Sequence, residues 1–267
     1  MNTKRAKDWD VRQLRPGLEE GELAEELADY FSAISNDFLP VQTIPTTYTR
    51  QITDLTQSEA WDRLVAMKKP LMAVSSDPLP KTINEHAHIY APILTRIFNW
   101  LRRGQRWPTI WRREEVGVIP KGKSPEDFDS RRNISCTLVF SKLLETYMLD
   151  WINQEIRQEW SQIDGFKGSG TDHLIAELQT TIMEQLDDNS AAVSLISVDM
   201  ADHSLCLEAM AEQGTSTQTI ALVANFLMNC SMRIKLRKNV YSTSRQTPGG
   251  APKGTKSGNI LFCIGRH

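Results

Sequence analysis

The chain has 267 residues, 40% of them hydrophobic and 24% charged, which excludes a wholly disordered chain. Its 31 Lys and Arg residues nearly balance 33 Asp and Glu residues, so the net charge of -2 alone indicates neither a nucleic-acid nor a membrane partner. The charges are nevertheless unevenly distributed. Residues 8–29 hold eight acids, whereas residues 229–267 hold eight Lys or Arg and no acid.

The cysteines and the first residues indicate the compartment. The four cysteines lie far apart without a CxxC pair, which disfavours a zinc site or a disulfide scaffold and predicts buried free thiols: Cys136, Cys206, Cys230 and Cys263. The opening MNTKRAKDWD lacks the apolar region of a signal peptide, and no apolar run approaches the ~20 residues that span a bilayer. We therefore expect an intracellular protein, nuclear or cytoplasmic, without a membrane partner.

Residues 1–57 are predicted to form a polar arm, a lead-in helix with apolar residues at helical spacing from Leu18 to Ile34, and a non-periodic linker. Residues 58–190 predict helices over 59–67, 83–101, 138–160 and 172–186, a turn-rich break at 75–82 and a strand at 116–120. The helix over 83–101 is predicted to be amphipathic and to be capped by Gly104; its apolar stripe comprises Ile89, Ile93, Ile97 and Trp100.

Residues 191–267 predict a buried strand over 191–199, helices over 205–210 and 219–228, a half-exposed strand over 231–241 and a glycine-proline loop. Long helical runs separated by few strands favour an α+β protein, mostly helical with a small antiparallel sheet, over a doubly wound sheet.

Two features of this last part suggest phosphate or metal chemistry. Asp199 ends the predicted strand, where a carboxylate could hold Mg²⁺; the alternative is an N-cap for the next helix. The loop over 249–258 has four glycines and two lysines, a composition that suits phosphate binding. It is not a Walker A loop, because Thr255 stands where that motif requires Lys, and a flexible connection is the alternative.

A basic loop is the third candidate. Its bases could hold a triphosphate or a nucleic-acid backbone: Lys121, Lys123, Arg131 and Arg132. Three acids within the same loop favour a solvated surface instead: Glu126, Asp127 and Asp129. His86 and His88 would face different sides of a helix, so they are a poor metal pair.

In chain order, several motifs together resemble the reverse transcriptase domain of non-LTR retrotransposons of the LINE type, Jockey- or CR1-like. They are collinear over roughly residues 25–264: DPLPKTI (77–83), APILTRIFNWLRRGQRWPTIWRREEVGVIPKGK (91–123), RRNIS (131–135), SKLLE (141–145), DGFKGSGTDHLI (164–175), VDM (198–200) and GAPKGTKSGNILF (250–262).

The resemblance implies a right-hand polymerase, with fingers over 58–190 and a partial palm over 191–267. By that resemblance Asp199 is a carboxylate for catalytic Mg²⁺, and Lys121 and Arg132 hold the incoming triphosphate. The loop that contacts the primer–template is matched by Gly250, Pro252, Lys253 and Gly254. The implied partner is an RNA or DNA template-primer.

The chain departs from that family at several motifs. The family's first palm motif reads DxxKAFD, whereas Asp199 is followed by Met200-Ala201-Asp202 as if residues were deleted. Lys253 replaces the usual Gln, and Asn133 replaces a proline. The double-aspartate motif does not occur before His267. We therefore expect a truncated, catalytically inactive reverse transcriptase fragment; the alternative is a non-catalytic nucleic-acid-binding remnant or a domesticated interaction protein.

Overall fold

The computed structural model describes residues 14–36, 38–51, 53–67, 74, 80–120, 127–156, 171–187, 202–237 and 240–249. Its helices are α1 (Glu20–Ala33), α2 (Gln57–Val65), α3 (Pro80–Glu85), α4 (Ala87–Arg103), α5 (Val139–Glu155), α6 (Thr171–Asp187), α7 (His203–Glu212) and α8 (Thr217–Leu227). Its strands are β1 (Arg113–Pro120), β2 (Arg131–Cys136), β3 (Ser231–Arg237), β4 (Val240–Tyr241) and β5 (Arg245–Gln246). The predicted α+β class, mostly helical with one small sheet, is confirmed.

The sheet is mixed, with strand order β2-β1-β3-β4 and β5 also paired to β3. β1 runs antiparallel to β2 but parallel to β3, with Glu115 opposite Arg233. The predicted antiparallel pairing is therefore found between β1 and β2 and between β3 and its neighbours β4 and β5, but not between β1 and β3. Parallel neighbours need a long crossover, and the chain between the end of β1 and the start of β3 provides one.

A small core joins α1 to one face of this sheet. Its buried apolar side chains are Leu14, Leu23, Ala24, Leu27, Ala28 and Phe31 from the first segment and Val116, Val118, Met232 and Ile234 from β1 and β3. Each fully buried Leu or Ile contributes about 1.5–3 kcal/mol. Arg245 adds polar contacts at the edge, because it donates hydrogen bonds to Asp29 (2.8 Å) and Glu25 (3.0 Å). Acids of the N-terminal part of the chain are thus paired with a base from the basic C-terminal part.

A larger core is built mainly by helices. It contains apolar side chains from α2, α4, α5, α7 and α8, including Leu64, Phe98, Leu144, Met148 and Phe226. Trp107, which follows α4, packs on Phe226 with ring centroids 4.7 Å apart. This core packs α5 against α8.

Side-chain caps fix where two helices begin. The Thr56 hydroxyl accepts from the Glu59 N–H at 3.2 Å, and the Glu59 carboxylate accepts from the Thr56 N–H at 2.8 Å, a capping box that starts α2. Asp202 caps α7 by accepting from the backbone N–H groups of Ser204 and Leu205. The predicted C-cap of α4 at Gly104 is confirmed.

Six of the predicted helices correspond to α1, α2, α5, α6, α7 and α8, with ends shifted by a few residues. The predicted strand at 116–120 corresponds to β1, and the one at 231–241 corresponds to β3 together with β4. The predicted helix over 83–101 is interrupted at His86 and forms α3 and α4. The predicted break over 75–82 extends too far, because α3 begins at Pro80, a residue suited to a first turn. The predicted strand over 191–199 lies outside the described residues.

The apolar stripe predicted on α4 does not face the core. Its stripe of Ile89, Ile93, Ile97 and Trp100 is exposed, at 51%, 50%, 38% and 64% respectively. The residues that enter the core are Ala87, Ala91, Leu94, Thr95, Phe98 and Leu101. Both sets recur at helical spacing, so α4 has two apolar faces, and the buried one carries the small alanines that permit close helix packing.

Cys136, Cys206 and Cys230 are buried thiols outside any disulfide, as predicted; Cys263 lies outside the described residues. Across the described ranges, no helix has the length and apolar character needed to cross a membrane.

Candidate functional site

Of the residues predicted to carry chemistry, Arg132 lies in the part of the chain that the structure describes. Outside it lie Lys121, Asp199, Gly250, Pro252, Lys253 and Gly254. Within the described ranges, no group of three or more His, Cys, Asp or Glu residues could hold a metal ion. The Mg²⁺ expected at Asp199 therefore remains an expectation from the resemblance.

Arg132 belongs to a strand, not to the predicted basic loop. It lies on β2 opposite Ile119 of β1, and its side chain is exposed. Arg131 and Arg132 point to opposite faces of the sheet, and Arg131 is buried while Arg132 is not. The sequence alone does not reveal this strand, because two adjacent arginines close to three acids are typical of a solvated charged loop.

The strand registers place Arg132 on the same face of the sheet as bases from two other strands. Residues directly opposite each other on paired strands share a face of the sheet. The pairs Ile119–Arg132 and Glu115–Arg233 therefore place the odd-numbered residues of β1 and β3 on the same face as the even-numbered residues of β2. We call the resulting set the basic face: Arg113, Arg132, Arg233 and Lys235. The opposite face is the one that packs on α1.

Glu115 organises the basic face from its centre. Its side chain is 5% exposed and accepts hydrogen bonds from the Arg233 guanidinium at 2.6 Å and the Lys235 ammonium at 2.8 Å. Burial opposes ionisation, but the hydrogen bonds and charges of Lys235 and Arg233 together outweigh it and lower the pKa of Glu115. The carboxylate is therefore ionised at neutral pH and fixes two cations on β3.

The aromatic ring of Tyr241 also contacts the two cations on β3. The Arg233 guanidinium lies 4.3 Å from its ring centroid, and the Lys235 ammonium 5.8 Å. The Arg233 side chain is nevertheless 46% exposed, so its donors still reach solvent. The face thus presents oriented cations, a chemistry suited to phosphate groups.

Glu114, next in the chain, is buried on the other face. Burial raises the pKa of Glu114 to about 7; the Ser135 hydrogen bond opposes this rise, and the charge of Glu145 adds to it. Glu145 is also fully buried and accepts a hydrogen bond from the Thr137 hydroxyl at 3.3 Å. Burial likewise raises the pKa of the nearby Cys230 thiol, which therefore stays protonated. Because these groups are closed to solvent, a ligand cannot reach them in this conformation.

A cleft of about 410 Å³ lies between the linker, α2, α4 and α5. Its arginines have protein partners: Arg63 pairs with Asp150, and the Arg102 guanidinium lies 3.8 Å above the Trp151 ring. Beside it, Glu155 accepts from the Ser216 N–H and hydroxyl and from the Thr219 hydroxyl at 2.7–3.0 Å. These contacts join α5 to α8, so Glu155 is used in packing the two helices together.

No protein-family model matches the chain, and a search of curated proteins finds no match. Sequence reasoning found the basic character of β3 from the alternation in SMRIKLR, and it found Arg132. It missed Glu115, because the pairing of β1 with β3 joins segments more than 100 residues apart.

Proposed function

We propose that the chain binds nucleic acid through the basic face, and that it is related to the reverse transcriptase domain of non-LTR retrotransposons. The observation that carries the proposal is the placement of exposed Arg132 and Arg233 on one face of a rigid sheet. Guanidinium groups bind phosphate oxygens in pairs. The Arg233 guanidinium is already oriented by Glu115 and Tyr241.

The expected mode of binding is electrostatic and largely independent of base sequence. Each phosphate neutralised by a base releases a condensed counterion, so affinity falls steeply with salt. Glu115 neutralises part of the charge but also fixes the positions of Arg233 and Lys235. In this mode of binding, Glu115 and Tyr241 orient the side chains of Arg233 and Lys235, and the exposed bases contact the phosphates.

The relation to reverse transcriptases is supported by the order of the motifs and by Arg132, which the resemblance assigns to a triphosphate. Polymerisation is not proposed for these 267 residues alone. Bound Mg²⁺ would stabilise charge on the attacking and leaving oxygens, and this requires several converging carboxylates. After Asp202 the acids of the sequence are Glu208 and Glu212, both on α7. We propose a chain that binds template-like nucleic acid without extending a primer.

Fluorescence anisotropy with a labelled single-stranded RNA of about 20 nucleotides at low salt tests the binding. We expect Arg233→Ala to weaken binding several-fold. Arg96→Ala is the matched control, because Arg96 is an exposed arginine on α4, away from the sheet, and its loss should leave affinity unchanged. Absence of binding by the unsubstituted chain, or equal effects of the two substitutions, would overturn the proposal. A primer-extension assay on the same RNA should show no incorporation.

A further inference from the structure

The segment that joins α1 to α2 is anchored at both ends by buried side chains. Val41 and Leu55 are 9% and 8% exposed, and both belong to the larger core. Of the described residues between these anchors, Pro45 is half-buried and the others are exposed. We call residues 42–51, 53 and 54 the strap. Because apolar burial contributes little along the strap, polar contacts hold it against the helices.

Hydrogen bonds seat the strap on the first turn of α8. The Arg50 N–H donates to the side-chain oxygen of Gln218 at 3.2 Å, and the Gln218 amide donates to the Arg50 carbonyl at 3.0 Å. The Thr47 N–H donates to the Thr217 hydroxyl at 2.8 Å, and the Thr217 N–H donates to the Tyr48 carbonyl at 3.1 Å. Most of the strap groups in these bonds belong to the main chain, and water can replace their partners when the strap lifts.

Two ion pairs also hold the strap, and both are open to solvent. Asp54 accepts a 3.1 Å hydrogen bond from Arg103 of α4, and these side chains are 40% and 63% exposed. The Arg50 guanidinium lies 3.9 Å from the Glu155 carboxylate and is 47% exposed. Ion pairs in contact with water contribute little to stability, so they resist lifting of the strap only weakly.

The strap forms one wall of the cleft over α5. Arg50, Gln51, Thr53 and Asp54 line this cleft, opposite Tyr147 and Trp151. The groups that receive the strap lie on α4 and α8, and both helices pack their apolar faces into the larger core. The receiving surface is therefore formed by residues that do not need the strap in order to pack.

We propose that the strap is a lid, which lifts from α4 and α8 while both cores stay folded and thereby opens the cleft over α5. Segments with few buried apolar contacts open locally at a lower free-energy cost than the whole chain. Leu55 stays in place as a hinge, because the Asn99 amide accepts from the Leu55 N–H at 2.8 Å and donates to the Leu55 carbonyl at 2.9 Å. This inference does not depend on nucleic-acid binding.

Limited proteolysis of the full chain with trypsin tests the lid, because a protease cuts a segment that has left its partners. Cleavage after Arg50 should be at least about tenfold faster than cleavage after Lys142, which lies on α5. Mass spectrometry of the fragments measures both rates. Equal rates would show that the strap is released only by unfolding of the whole chain, and would overturn the proposal. Absence of cleavage after Arg50 would also overturn it.

Gln218→Met removes both hydrogen bonds to the main chain of Arg50 and keeps the length of the side chain. This substitution should raise the rate of cleavage after Arg50 at least about fivefold. Gln154→Met is the matched control, because Gln154 is an exposed glutamine that lines the same cleft, and its loss should leave the rate unchanged. Equal rates for the two variants would contradict the seating of the strap on α8.

Thr47→Cys/Thr217→Cys should lock the lid, because the two hydroxyl oxygens lie 3.5 Å apart. In the oxidised variant, cleavage after Arg50 should fall at least about tenfold, and it should return on reduction. The unsubstituted chain, treated with the same reductant, is the control and should keep its rate. Unchanged cleavage in the oxidised variant, or failure of the disulfide to form, would overturn the proposal.

Discussion

Glu115 on β1 accepts a 2.6 Å hydrogen bond from Arg233 on β3, across the parallel pairing of two strands that the sequence separates by more than 100 residues. The same carboxylate binds Lys235 at 2.8 Å. One buried acid thus connects the two segments of the sheet and orients two bases of the basic face. Its removal should affect both stability and binding.

Glu115→Gln is expected to lower the free energy of unfolding by about 1–2 kcal/mol, less than a fully buried pair would lose, because Arg233 is 46% exposed. The added net positive charge should at the same time tighten RNA binding at low salt. Urea unfolding and anisotropy measure the two effects. Glu85→Gln, in an exposed pair with Lys81, is the control and should change stability by less than about 0.5 kcal/mol. Loss of stability with an unchanged RNA affinity would show that Glu115 plays no part in binding.

Glu114 predicts a pH dependence of stability. Burial raises its pKa from 4.5 to about 7, so the folded chain binds this proton more tightly than the unfolded chain. Stability should therefore fall as pH rises from 4.5 to 7, by up to about 3 kcal/mol from this group. Glu114→Gln should remove that part of the slope, which unfolding at pH 5 and pH 7.5 measures. A variant with the unchanged slope would show that Glu114 does not cause it.

Glu155 is expected to hold α8 to α5. Its side chain is 3% exposed and accepts hydrogen bonds from Ser216 and Thr219 at the N-terminus of α8, where the helix dipole favours a negative charge. Glu155→Ala should cost about 2–3 kcal/mol of stability, because it leaves buried donors without an acceptor. The neighbouring exposed Gln154 provides the control, since Gln154→Ala should have little effect. Equal thermal midpoints for the two variants would contradict this role.

The buried face of α4 is tested by two substitutions on one helix. Phe98 is fully buried, whereas Ile93 is 50% exposed. Phe98→Ala should lower the free energy of unfolding by about 3–5 kcal/mol, and Ile93→Ala by less than about 0.5 kcal/mol. Urea unfolding measures both. A larger loss of stability for Ile93→Ala than for Phe98→Ala would indicate that the stripe with Ile93 faces the core.

Local sequence patterns predicted most helices, because the periodicity of each is set by nearby residues and by caps such as Thr56 and Gly104. They did not decide which side of α4 is buried. Both stripes of that helix satisfy the helical period, and the choice depends on the shape of the partners that receive Phe98 and the alanines. The isoleucines of the exposed stripe are more hydrophobic than the alanines of the buried face, so the sequence alone draws attention to the exposed stripe.

The sheet shows a second limit. The alternation of apolar and basic residues in β3 predicted a half-exposed strand, and Met232 and Ile234 are indeed buried while Arg233 is exposed. Its partner could not be predicted, because the parallel pairing with β1 depends on contacts formed only in the folded chain. The sequence predicts that Arg132 binds phosphate. Which other side chains share its face of the sheet depends on how the strands pair.

The salt dependence of RNA binding tests the basic face most directly. The logarithm of the association constant is measured against the logarithm of salt concentration for the unsubstituted chain and for Arg132→Ala/Arg233→Ala. If both arginines contact phosphates, the double variant should bind more weakly and its slope should be shallower by about 1–2. An unchanged slope and affinity would contradict the claim that this face of the sheet binds nucleic acid.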